Sequence, residues 1–294
     1  MTNQYDKDYI ELLKDVKNNG YRKKNRTDID TISSFSKSLR IDLTEGFPIL
    51  TTKKVFFRGV FEEMLFFLKG ETNTNLLSEK GVNYWKGNTS REFLDSRGLT
   101  FLPEGEIGCG YGHQFRNFGG EHPLVPQTKG LKGVDQLSEV VQKIKTNPWD
   151  RRIIISLWCP TQLDLMALPP CHLYTQFYCN PEKKELSCFL LMRSSDLFLG
   201  LPTNIIQYAL LTHFIAKITG YTPKELFYTS VDSHLYTNHL EQVDIQVERE
   251  SFKLPEFIIK KEVKTLDDIL SLSYEDVELK NYQFHPAIKA EMAV

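Results

Sequence analysis

The chain has 294 residues, with 36 lysines and arginines against 38 aspartates and glutamates and 41% hydrophobic residues. That balance excludes capture of nucleic acid or membrane through bulk charge, and no run of about 18 apolar residues offers a spanning helix. Five cysteines, an odd count, read as free thiols in a reducing compartment rather than as a disulfide frame.

The start, "MTNQYDKDYIELLKD", is polar and acidic, unlike a secretory leader, and the end, "EMAV", matches no common lipidation or retention pattern. "DYIELLKDVKNNG" has helical spacing and a stop at Gly20, and "RTDIDTISSFSKSLRIDL" alternates like strands. "VFFRGVFEEMLFFLKG" predicts a core helix ended by Gly70, in which the Glu62-Glu63 pair is odd, because glutamate is seldom buried without a use. From Asn83 to Gly130 the composition predicts mostly loop. "VDQLSEVVQKIKTNP" predicts an amphipathic helix stopped before Pro148. "RRIIISLW", "LYTQFYC", "LSCFLLMRS" and "LFYTSVDSHLY" predict strands, the middle two joined as a hairpin through "NPEKKE". "IIQYALLTHFIAKITG" is apolar nearly all round and predicts a central buried helix ended by Gly220; the later stretches read as short segments. No repeat and no linker of convincing length interrupts this pattern. The expected fold is therefore α+β, one domain over 1–294, with a mixed, largely antiparallel sheet covered by long helices.

Three stretches can carry chemistry. In "LPPCHLYTQFYC" two prolines fix the backbone immediately before a strand, so Cys171 sits where a rigid turn becomes extended chain. It can be a nucleophile, a metal ligand or an ordinary buried thiol. Metal is the weakest of these: there is no CxxC, and neighbouring strand residues such as Cys171 and His172 should face opposite ways. In "DRRIII" and "RSSD", Arg151, Arg152 and Arg193 stand at strand ends, with the Ser194 hydroxyl beside Arg193. Guanidinium plus hydroxyl suits a phosphate monoester, against the plainer reading of solvated strand ends. In "DLFLGLPTNIIQYALL", Asn204 stands at the edge of the buried helix. A helix N-cap is the ordinary reading, and recognition of a uracil edge by its carboxamide the functional one.

Taken together, "GFPILTTKK", "KGETNT", "YGHQFR", "DRRIIIS", "MALPPCH", "RSSDLFLGLPTNI", "DSHLYTNH" and "FHPAIKAEMAV" resemble the thymidylate synthase family in order and spacing over nearly the whole chain. Stretches near 86–105 and 117–133 are similar to the insertions of its eukaryotic members. The resemblance implies methylation of dUMP to dTMP, with 5,10-methylenetetrahydrofolate as carbon donor and reductant and no metal. It implies Cys171 as nucleophile toward C6 of the base, helped by Glu63, Asn204, Tyr111, His172 and Arg193. The implied dUMP contacts are Arg26, Arg193, Ser194, Asp196, Asn204, His234 and Tyr236. Arg151 and Arg152 would be donated by the partner in a homodimer packed through the sheet. On the folate side it implies Lys53, Trp85, Asn88, Leu168, Asp196, Leu199, Gly200, Thr203 and the terminal Met292 to Val294, including Ala293. A cytoplasmic location, with a nuclear fraction, goes with that role; no DNA or membrane partner is expected, and binding to its own messenger RNA is not readable.

The chain departs from the family pattern at Asp28-Ile29-Asp30-Thr31, Gly108-Cys109-Gly110, Met192 and Thr203, the last where a phenylalanine is usual. Two rivals stay open at this point. A dUMP or dCMP hydroxymethylase would let water capture the methylene, although the usual cytosine-specific form carries aspartate where Asn204 stands. A homologue that binds nucleotide or RNA without turnover is the other.

Overall fold

The computed structural model describes residues 3–25 and 27–291. Helix α1 (Gln4–Asn19) buries Tyr5, Tyr9, Leu12, Leu13 and Val16, and the Asn3 side chain caps it by accepting from the Asp6 amide. Strands β1 (Tyr21–Lys23) and β2 (Thr31–Asp42) follow, then helix α2 (Phe57–Leu68), buried along its length except at Arg58. Gly70 turns the chain away at φ +82°, a left-handed conformation that favours glycine. After it come the short helices α3 (Asn75–Ser78), α4 (Arg91–Ser96) and α5 (Gly112–Asn117) and a 3-10 turn at Pro126–Thr128, set among loops. Helix α6 (Gln136–Thr146) leads to strands β3 (Ile154–Ser156), β4 (His172–Asn180) and β5 (Glu185–Asp196). Helix α7 (Gly200–Thr219), strand β6 (Thr222–Tyr236), helix α8 (Leu240–Val247), strand β7 (Glu256–Ile259), helix α9 (Leu266–Leu270) and strand β8 (Val277–Lys280) complete the order.

The main sheet has the order β1-β2-β6-β5-β4-β3. Every neighbouring pair is antiparallel except β5 and β6, which run parallel. A parallel pair needs a long crossover, and α7 supplies it: apolar all round, it lies buried and ends on Gly220 at φ +74°. The sheet is thus mixed and largely antiparallel, as expected. Its core face packs on the helices. On its other face Phe189 stacks on Phe227, centroids 5.8 Å apart, while Tyr178 and Val231 are exposed.

Two expectations need correction. The strand read over "RRIIISLW" shrinks to Ile154–Ser156, because β3 is an edge strand with a single partner, and Arg151 and Arg152 precede it. Residues 256–280, read as short segments, contain a second sheet, the antiparallel pair β7-β8.

Candidate active site

Between α2, the start of β4, the end of β5 and the first turns of α7 lies a cavity of about 530 Å³. Cys171 is the half-buried thiol in its wall. Its mount is fixed from several sides. The Arg193 amide donates to the Cys171 carbonyl (3.0 Å), and its guanidinium donates from Nε to the Pro170 carbonyl (3.0 Å) and from Nη2 to that of Pro169 (2.9 Å). The Cys171 amide donates to Tyr111 Oη at 3.0 Å. Tyr111 lies flat on Phe67, 4.9 Å between centroids, and holds φ at +21°, a conformation costly for a bulky residue. The remaining thiols are buried, and burial pushes Cys109 and Cys188 up to about 12 and Cys179 to about 11.

The argument that Cys171 and His172 face opposite ways fails locally, since both line the cavity. Cys171 precedes the strand, and the β4-β5 register shifts between His172 and Tyr174, so strict alternation does not apply.

Of the glutamate pair on α2, Glu62 turns to the rim and bonds Lys80 at 2.6 Å, whereas Glu63 faces the cavity from within the core. Glu63 accepts from Trp85 Nε1 at 2.7 Å and from Gln207 Nε2 at 2.8 Å. Burial pushes its pKa up to about 7, and those two donors pull against the rise. His172 is driven down to about 3 by burial and is neutral at ordinary pH. Its Nε2 lies 2.8 Å from Asn204 Nδ2, and its Nδ1 3.2 Å from Tyr208 Oη.

Asn204 is not the N-cap. Pro202 fits the first turn of a helix, so α7 begins at Gly200, and Asn204 lies inside it with its carboxamide in the cavity wall. Gly200, Thr203, Asn204, Gln207 and Tyr208 share a helical face by their spacing. The sequence reading missed Gln207 and Tyr208; extending that spacing by one turn from Asn204 finds both.

Ser194, Asp196 and Tyr236 also line the cavity. Asp196 Oδ1 accepts from the Phe198 and Leu199 amides at 2.9 and 3.3 Å, fixing the turn into α7. His234 sits beside Tyr236, ring centroids 5.2 Å apart, and meets Asp232 through Nδ1 at 3.1 Å. That contact, with Lys23 and Ser33, holds the Asp232 carboxyl well below the usual range. Arg193 follows Met192, which is buried on the core side, so strand alternation sends its side chain the other way, outside the cavity lining. Arg151 and Arg152 also lie outside that lining; both are exposed, and Arg152 bonds Asp150. Arg26 and Met292 to Val294, with Ala293, fall outside the described residues. In the loop after β1, Asp30 pairs with Arg22 at 2.6 Å, and Asp28 is exposed.

Lys53, Trp85, Asn88, Leu168, Leu199, Gly200 and Thr203 line the same cavity, together with Phe56 and Ile288, which the sequence did not single out. Lys53 is buried, donates to the Phe198 carbonyl at 2.5 Å and lies over that ring at 3.4 Å. Burial lowers its pKa to about 7, with Asp196 opposing the fall. The Thr203 hydroxyl donates to the Leu199 carbonyl at 3.3 Å. Asn88 Nδ2 is buried without a partner among the described residues.

A rigidly mounted thiol that shares a cavity with a buried carboxyl and a neutral imidazole defines an enzyme class, one that works by covalent attack and proton transfer. The family model described as thymidylate synthase matches residues 7–294, and the chain belongs to that family. It is 47% identical over 286 residues to human thymidylate synthase, covering 97% of this chain and 90% of that protein. The yeast thymidylate synthase of Saccharomyces cerevisiae is 43% identical over 301 residues, covering 99% and 98%. The bifunctional dihydrofolate reductase-thymidylate synthase of Leishmania major is 48% identical over 295 residues; the match takes in 99% of this chain but spans 56% of that protein.

Proposed function

We propose that the chain converts dUMP to dTMP with 5,10-methylenetetrahydrofolate as cosubstrate, releasing dihydrofolate. The observation that carries this reading is the meeting of Cys171, Glu63 and Asn204 in one cavity, in a chain of this family. Cys171 sulfur bonds C6 of the uracil, and the C5–C6 π pair moves toward C5 and O4, making C5 nucleophilic. The folate, when bound, supplies the one-carbon unit and the hydride. Its fit is supported by the apolar surfaces of Trp85, Leu168, Leu199 and Ile288 and by the orphaned Asn88 donor. Glu63, with a pKa near neutrality, can take and return protons at the base. Loss of the C5 proton frees the one-carbon unit from the folate nitrogen, and hydride reaching that carbon then drives electrons back through C5 to break the C6–S bond, giving the methyl group and restoring Cys171.

The finer assignments belong to the same reading. Ser194, His234 and Tyr236 hold the nucleotide's phosphate and sugar, and Arg193 adds its charge from the sheet's open side. The active unit is a homodimer packed on that face, where Phe189, Phe227, Tyr178 and Val231 offer apolar surface. Arg151 and Arg152, exposed and outside their own cavity's lining, complete the partner's phosphate grip. The test is to mix protein, dUMP and methylenetetrahydrofolate and follow the dihydrofolate absorbance and the C5 substituent. A methyl group with dihydrofolate is expected; a hydroxymethyl group with tetrahydrofolate contradicts the reading, as does binding without turnover.

A further inference from the structure

Gln207 lies on a largely apolar helix at 1% exposure, and a buried carboxamide is costly unless its donors and acceptor are matched. Its Nε2 donates to Glu63 Oε2 at 2.8 Å, and its Oε1 lies 3.3 Å from Asn204 Nδ2. We propose that Gln207 is a positioning residue for base selection, turning the acceptor pair of Glu63 into a single orientation of the Asn204 carboxamide. This rests on the reading that the cavity takes dUMP.

The polarity of the chain of bonds runs one way. The Trp85 indole is only a donor, so Glu63 Oε1 must accept. An ionised Glu63 also accepts at Oε2, so Gln207 presents its NH₂ there and turns its carbonyl to Asn204. Asn204 then presents NH₂ to Gln207 and to His172 Nε2 at 2.8 Å, which places the imidazole proton on Nδ1, toward Tyr208. Both Asn204 hydrogens are drawn to the protein side. Its Oδ1, with no donor among the described residues, is left as an acceptor for the N3–H of uracil. Cytosine presents a lone pair at N3 instead. His172 and Tyr208 cannot set this orientation alone, because an imidazole can exchange tautomers and a hydroxyl can donate or accept. The carboxylate cannot reverse its polarity while ionised, and Gln207 connects it to Asn204.

The experiment is competitive binding of dUMP and dCMP, together with kcat/KM for each, in the wild type, Gln207→Met and Gln207→Glu. The methionine keeps size but neither donates an N–H nor accepts well. The preference for dUMP should fall about tenfold or more, the effect of one buried polar mismatch. The glutamate, assayed at about pH 6 where it can share one proton with Glu63, keeps one donor and one acceptor, and it is compared with wild type and Gln207→Met read at about pH 8, where the wild-type Glu63 is ionised. It should retain a ratio close to wild type. Each ratio is read on one preparation, so a misfolded fraction cancels. An unchanged ratio in Gln207→Met overturns the proposal, and so does an equal loss in both variants, which would make size rather than polarity the cause. A wild type without preference for dUMP overturns the nucleotide reading itself and the proposal with it.

Discussion

At the inner end of the cavity, Trp85, Glu63, Gln207, Asn204, His172 and Tyr208 are bonded to one another within a single chain. At the surface, Arg151 and Arg152 contribute nothing to their own cavity's lining, and Arg152 makes an exposed ion pair with Asp150. The two regions obey different economics of solvation. Buried polar groups must find partners as the chain folds, so the inner network forms without substrate and leaves only the Asn204 Oδ1 acceptor turned to the cavity. An exposed ion pair contributes little, so Arg152 can be drawn to a phosphate at little cost. In the function proposed above, one chain builds the chemistry and a second copy completes the grip.

The strongest way to break the inner region is at the thiol. Cys171→Ser should lose about 10⁴-fold or more in turnover, because a hydroxyl without a dedicated base is a poor nucleophile. Titration with dUMP should still show binding; near-normal turnover would discard the covalent mechanism.

Glu63→Gln should lower kcat by about 10²- to 10⁴-fold, the range for a general acid-base group. It also has a signature in stability. The Glu63 carboxyl rises from its ordinary 4.5 to about 7 on folding. Between those values the native state binds more protons than the unfolded chain, so Glu63 subtracts stability as pH rises through that window. The subtraction reaches about 3 kcal/mol above it. Thermal melts of the variant and the wild type at about pH 5 and about pH 8 should diverge in the variant's favour at the higher pH. Parallel behaviour at both would show that Glu63 is not perturbed.

The smallest effect is expected at Thr203, whose side chain is short and turned back to the Leu199 carbonyl. Thr203→Phe should tighten folate binding by about tenfold at most through added apolar contact, with dUMP affinity unchanged. If folate affinity does not move, a neighbouring side chain already fills that space.

The sequence made some of this visible for definite reasons. Two prolines before a strand announced a rigid mount for Cys171, and a glutamate in a core helix announced a buried carboxyl with a task. The Arg193 clamp on the Pro169 and Pro170 carbonyls was not visible, because it joins a side chain to backbone across two strands. Nor was Gln207: its partner Glu63 lies 144 residues away, and the direction of an amide is decided only by what it touches. Asn204 was misplaced as a possible cap because Pro202 could equally precede a helix or open one. The departure at residues 28–31 gave no sign that Asp30 pairs with Arg22, eight residues earlier on β1.

The contrast between an interior built by one chain and a grip completed by another is tested most directly by mixing two inactive proteins. Arg152→Ala leaves the thiol intact and Cys171→Ala leaves the arginine intact. Random exchange of subunits makes half of the dimers mixed, each with one fully native site, so activity should return to about a quarter of wild type. No recovery under conditions of proven exchange would contradict the account, since Arg152 would then serve its own chain's site or none.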